Sequence, residues 1–104
     1  GPEATWFRVP GAPPVDLRKR RAPRLILRAL FEHRLAAPGA GLSVEALCAA
    51  GWPGDRALPH AAAARLYVAI RTLRTLGLAG VLRRQDDGYL LDPATPVRRS
   101  GRSI

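Results

Sequence analysis

The chain holds one cysteine, Cys48, in 104 residues. One thiol can build neither a disulfide framework nor a thiolate metal site within a chain, which excludes the stapled secreted folds and fits a reducing cytosol. No apolar run approaches the roughly 18 residues of a membrane span, and no signal-peptide pattern is visible. A cytoplasmic location without membrane contact is therefore expected. Internal repeats and glycine-rich phosphate loops are missing too. His33 and His60 have no nucleophile or metal-ligand spacing near them, so no catalytic residue, metal or cofactor is expected, and the chain does not read as an enzyme. Negative charge is scarce: 8 acidic residues face 17 basic ones, for a net charge of +9. Only Lys19 among the basic residues is a lysine. A small domain this basic should attract polyanions, nucleic acid foremost, although a merely solvated surface has the same composition.

Apolar residues make up 47% of the chain, enough for one domain that folds without staples. Gly1-Pro2 resembles the protease scar of an expression tag, and the domain is expected to be cut from a longer protein. The domain proper is assigned to residues 3–93. Residues 94–104 (ATPVRRSGRSI) read as a disordered basic tail.

Thr5–Val9 alternates β-branched and aromatic residues and predicts a short strand. Pro10–Pro14 is a turn, and Val15–Leu17 a second strand pairing back on the first. The basic run Arg18–Arg21 follows. Residues 22–36 carry helical spacing, with Leu27, Leu30, Phe31 and Leu35 on one face. Pro38-Gly39 ends that helix. Ser43 is a suitable N-cap for a helix over Val44–Ala50, with Glu45 in its first turn and Leu42 and Leu47 burying. Gly51 stops it, and Trp52 with Pro53 packs over its end. Pro59 opens a third helix to about Leu76, with Leu66, Ala69, Ile70 and Leu73 as its core stripe and Gly77 as its stop. Val81–Arg84 and Gly88–Leu91 form a hairpin, with Asp86-Asp87-Gly88 supplying the turn because Asp-Gly tolerates positive φ. The fold class is thus α+β: a winged helix-turn-helix with a short N-terminal β-hairpin, three helices and a C-terminal β-hairpin wing.

Four motifs fall in the order of a known family: Val15-Asp16-Leu17, Leu47 to Gly51-Trp52, Ile70-Arg71-Thr72-Leu73-Arg74 and Gly88-Tyr89-Leu90-Leu91. Together they resemble the OmpR/PhoB-type winged-helix effector domain of bacterial transcriptional regulators. The resemblance covers roughly residues 5–92. It implies binding of double-stranded DNA, with the third helix in the major groove and the wing on phosphates. It also implies an RNA polymerase contact through the Gly54–Leu58 loop, where Asp55 and Arg56 are the candidates. The family's N-terminal sheet has four strands, whereas this sequence offers material for two.

The third helix turns Ala61, Ala64, Val68, Arg71 and Thr75 outward, opposite its core stripe. Arg65 and Thr72 lie on one flank, Tyr67 and Arg74 on the other. The expected DNA-binding residues are Arg65, Val68, Arg71, Thr72, Arg74, Thr75, Arg83 and Arg84. Arg71 could pair with guanine, Thr72 and Thr75 could bond a base or phosphate, and Val68 could touch a thymine methyl. Arg74 would clamp a phosphate by family analogy. Arg83 and Arg84 on the wing would hold phosphates and should not be equivalent, because strand neighbours face opposite ways. The alternative is a protein–protein interaction module docking through the apolar Ala61, Ala64 and Val68 face. Cys48 reads as a small core residue.

Overall fold

The computed structural model describes residues 6–8, 15–85, 87–94, 98–99 and 102–103, with backbone alone for Trp6 and the last four of these. Thr5, Val9, the Pro10–Pro14 turn and Asp86 lie outside the described residues, as does the Gly1-Pro2 pair. The fold is a small α+β domain with three helices and two small antiparallel sheets.

Strand β1 (Trp6–Arg8) pairs with β2 (Val15–Asp16), Phe7 opposite Val15. Residues 94–104, expected as a disordered tail, contribute two further strands. These are β6 (Arg98–Arg99), which pairs with β1, and β7 (Arg102–Ser103), giving the order β2-β1-β6-β7. β1 has one edge unoccupied by β2, and an unpaired edge accepts any extended segment that reaches it.

Helix α1 (Arg21–Ala36) buries Ile26, Leu27, Leu30, Phe31 and Arg34. Leu35, which periodicity places on the core face, is 55% exposed. Arg34 stands seven residues after Leu27, only about 20° off its direction, so it occupies the stripe that Leu35 misses. Its Nη2 donates to the Pro93 carbonyl (3.2 Å), which ties α1 to the end of the hairpin. Burial pulls the Arg34 pKa down and the nearby Asp92 carboxylate opposes that.

Helix α2 (Val44–Gly51) begins as its sequence predicts: the Ser43 hydroxyl accepts from the Ala46 amide at 3.1 Å. Gly51 is the last helical residue, not a left-handed stop. Its backbone abuts α1 so closely that a Cβ there would stand 3.0 Å from the Ile26 side chain. Just before α2, Leu42–Ser43 forms a two-residue strand, β3, that periodicity does not reveal.

Helix α3 (Pro59–Leu73) buries Leu66, Ala69, Ile70 and Leu73, the predicted stripe. Pro59 sits in its first turn and alanines fill residues 61–64, the best intrinsic helix formers. The regular helix ends three residues before Leu76. It widens over Arg74–Leu78 into a π-type turn that breaks at Gly77, whose φ of 136° suits glycine alone.

The hairpin is β4 (Leu82–Gln85) and β5 (Gly88–Leu91), and β3 adds to it in the order β3-β5-β4. Gly88 is not the turn residue expected from Asp-Gly. It lies in β5 opposite Ser43, without positive φ, and a Cβ there would run into the Leu42 carbonyl oxygen. Close approach of β3 is what requires glycine. Phe7, Leu17, Leu47, Leu78, Val81, Leu82, Tyr89 and Leu91 join the helix stripes in one core.

Candidate nucleic-acid interface

Helix α3, the π-type turn that follows it and the hairpin carry all eight residues singled out in the sequence. The outward face stands as periodicity requires. Ala61, Ala64, Val68, Arg71 and Thr75 are exposed, and Val68 is 67% so. Tyr67 beside it is 44% exposed. Arg71 has no hydrogen bond or ion pair among the described residues, so its guanidinium is available to a ligand. Thr72 donates its hydroxyl to the Val68 carbonyl at 3.0 Å, back-bonding one turn of its own helix. Its oxygen can still accept.

The remaining arginines of the set are engaged. Arg65 pairs with Asp55 of the α2–α3 loop and lies over the Trp52 ring, 4.5 Å from its centroid. Arg74 donates from Nε and Nη2 to the Leu82 carbonyl (3.4 and 3.2 Å) and covers the Tyr89 ring at 5.6 Å. That bond joins the end of α3 to β4, so Arg74 is held to the hairpin where the family analogy wants a phosphate clamp. Arg84 lies over the same Tyr89 ring at 5.8 Å, and Arg83 faces Asp92 at 3.4 Å.

The hairpin register explains the split between the two hairpin arginines. Leu82 faces Leu91 and Arg84 faces Tyr89, so these four share the side turned to the helices. Arg83 faces Leu90 on the opposite side. Both arginines are exposed and their surroundings differ, as strand alternation predicts. The structure therefore brings Arg74 and Arg84 together on Tyr89 and lines up Val68, Arg71 and Thr75. Arg65 shares a groove with Arg84, and Arg83 turns to the other face of the hairpin. The role of Tyr89 as a platform for two guanidinium groups was not legible from its Gly-Tyr-x-Leu context.

A groove of about 600 Å³ opens between α2, the α2–α3 loop, α3 and the hairpin tip, lined in part by Val44, Cys48, Trp52, Tyr67, Arg84 and Asp87. Its wall is charged with both signs. The Cys48 thiol donates to the Ala62 carbonyl at 3.5 Å, and burial pushes its pKa up while Arg65 pulls it part of the way back. A thiol held protonated is a poor nucleophile. In the Gly54–Leu58 loop every residue is exposed, and Asp55 is occupied by Arg65. Arg56 is thus the freer of the two loop candidates. Among the described residues no group of His, Cys, Asp or Glu is placed to hold a metal ion, and no helix is long and apolar enough to cross a membrane.

Comparison with protein-family models, curated proteins and solved structures finds no match for this chain.

Proposed function

We propose that this chain is a winged-helix DNA-binding domain of a bacterial transcriptional regulator, with α3 in the major groove and the β4–β5 hairpin on neighbouring phosphates. The observation that carries the reading is the adjacency of a solvent-facing helix stripe and an arginine-bearing hairpin in a chain of charge +9. Support also comes from the element order. A strand before α2 joins the hairpin into a three-stranded sheet that flanks the helices. Arg71 is the residue equipped to read a base, Thr75 and Thr72 assist it, and Arg83 and Arg84 contact phosphate. Arg65 and Arg74 set the interface by bracing α3 against its loop and its hairpin. An RNA polymerase contact through Arg56 belongs to the same reading.

One observation favours a second reading. Val68 and Tyr67 are exposed side by side, and Ala61 and Ala64 continue the apolar stripe, the surface of a protein-docking helix. A titration of a labelled random-sequence duplex at several salt concentrations tests the first reading. If about six phosphates are contacted, log K falls with log salt at a slope near −5. Absence of salt-dependent binding at low ionic strength rejects it. Arg71→Glu with Arg84→Glu should abolish DNA binding, whereas under the second reading Val68→Glu alone breaks the complex with a protein partner.

A further inference from the structure

Among the described residues, three consecutive cations without a partner stand where β2 runs into α1. Asp16 holds the first member of the basic run. Arg18 donates from Nε to both carboxylate oxygens (3.1 and 3.0 Å) and from Nη2 at 2.9 Å, and its backbone amide adds a bond at 2.9 Å. These bonds hold the Asp16 carboxyl below its ordinary pKa, so it stays charged and stays with Arg18. Lys19, Arg20 and Arg21 are all exposed and enter no ion pair or hydrogen bond through their side chains among the described residues.

Folding does not account for that cluster. The three cations stand at the N-terminal end of α1, the positive end of its macrodipole, where cations are unfavourable. The first turn contains no acidic residue, and Arg20 at the N-cap makes no side-chain cap. A local rule broken without a compensating contact is expected at functional or strained sites, and an exposed cation cluster with no partner among the described residues fits the functional kind. Position narrows what is bound. Ala22 and Ile26 of α1 pack on Gly51 at the C-terminal end of α2, while the Val44 amide at the other end of α2 donates to the Asp87 carbonyl beside the hairpin tip. The junction and the hairpin tip are therefore separated by the length of α2. Eight residues at 1.5 Å each give about 12 Å, or three to four base-pair steps along a duplex.

We propose that Lys19, Arg20 and Arg21 form a second phosphodiester contact, gripping the backbone of the same DNA duplex beside the stretch covered by α3 and the hairpin. This rests on the DNA-binding reading above. The contact is sequence-independent and adds to the salt dependence of binding without adding base preference.

The test compares the chain with two variants, Lys19→Gln/Arg20→Gln/Arg21→Gln and Arg71→Gln/Arg84→Gln, on a labelled duplex between 50 and 200 mM salt. With three phosphate contacts removed, the junction variant should lose about 2 to 3 of the log–log salt slope. Its melting temperature should hold or rise, because repulsion at the helix end is relieved. Binding that weakens while the fold strengthens is a signature that a structural role does not produce. An unchanged slope in the junction variant overturns the proposal while leaving the α3 and hairpin reading intact, provided the Arg71/Arg84 variant loses affinity. A lowered melting temperature, or two duplexes held per chain, also overturns it. Loss confined to the junction variant supports this contact and removes α3 from the interface. No binding by the unsubstituted chain overturns both readings.

Discussion

The α3–hairpin region and the β2–α1 junction are both rich in arginine, and they use it in opposite ways. In the first, Arg65 lies on Trp52 and pairs with Asp55, Arg74 bonds the Leu82 carbonyl over Tyr89, and Arg83 faces Asp92. In the second, Arg18 is neutralised by Asp16 and the next three cations are bare. Guanidinium groups in the first region brace secondary-structure elements against one another. Those in the second repel each other and the helix end they stand on. A count of arginines therefore overstates the charge a region offers to a ligand. The α3–hairpin region contributes one bare arginine on its helix, Arg71, whereas the β2–α1 junction contributes three consecutive bare cations among the described residues.

The largest expected effect falls on the braced half. Gly88→Ala drives a Cβ into the Leu42 carbonyl and must separate β3 from β5, so a loss of roughly 2–4 kcal/mol is expected in urea unfolding. Unchanged stability would show that β3 does not pair as described.

Next comes a direct contrast within α3. Arg74→Ala removes charge-assisted bonds to Leu82 and the ring contact with Tyr89, an expected cost of about 1.5–3 kcal/mol. Arg71→Ala, on the exposed face, should stay within about 0.5 kcal/mol. DNA affinity should order the two the other way, with Arg71→Ala the more damaging among folded protein. Equal stability losses in both would collapse the distinction between bracing and binding arginines.

A smaller effect sharpens the junction half. Asp16→Asn releases Arg18 as a fourth bare cation, and the salt slope for duplex binding should steepen by about 0.9. A slope that stays the same would leave Arg18 out of the contact.

The smallest effect is a titration. Asp16 should ionise below the ordinary aspartate range, because its bonds to Arg18 favour the carboxylate. A depressed folded-state pKa means that the pair contributes above the unfolded value and loses that contribution as pH falls through the folded one. Carboxyl chemical shifts of Asp16 followed into acid, with and without Arg18→Ala, check the direction. The pair is exposed, so its effect on overall stability is slight.

Much of the scaffold is readable along the chain. The stripes Leu27/Leu30/Phe31 and Leu66/Ala69/Ile70/Leu73 sit at helical spacing, Ser43 has the chemistry of a cap, and Asp86-Asp87-Gly88 marks the break between two hairpin strands. What escapes a linear reading depends on contacts distant in sequence. β3 is two residues long and is defined by Tyr89 and Gly88, far along the chain. Gly88 resembles a turn glycine until the Leu42 backbone is seen against it. Arg34 reads as a polar last-turn residue, yet the core stripe passes through it and Pro93 receives its guanidinium. For the candidate site, the outward order of Ala61, Ala64, Val68, Arg71 and Thr75 follows from the helix period alone. Which arginines are occupied does not.

The sequence by itself therefore determined three helices, their buried faces and the hairpin, because backbone periodicity and capping act over a few residues. Only the tertiary structure decided which cations are free. An arginine side chain is long and reaches whatever carboxylate, carbonyl or ring the fold brings near it. For Arg65, Arg74 and Arg84 those partners arrive from other elements. For Lys19, Arg20 and Arg21 none does among the described residues.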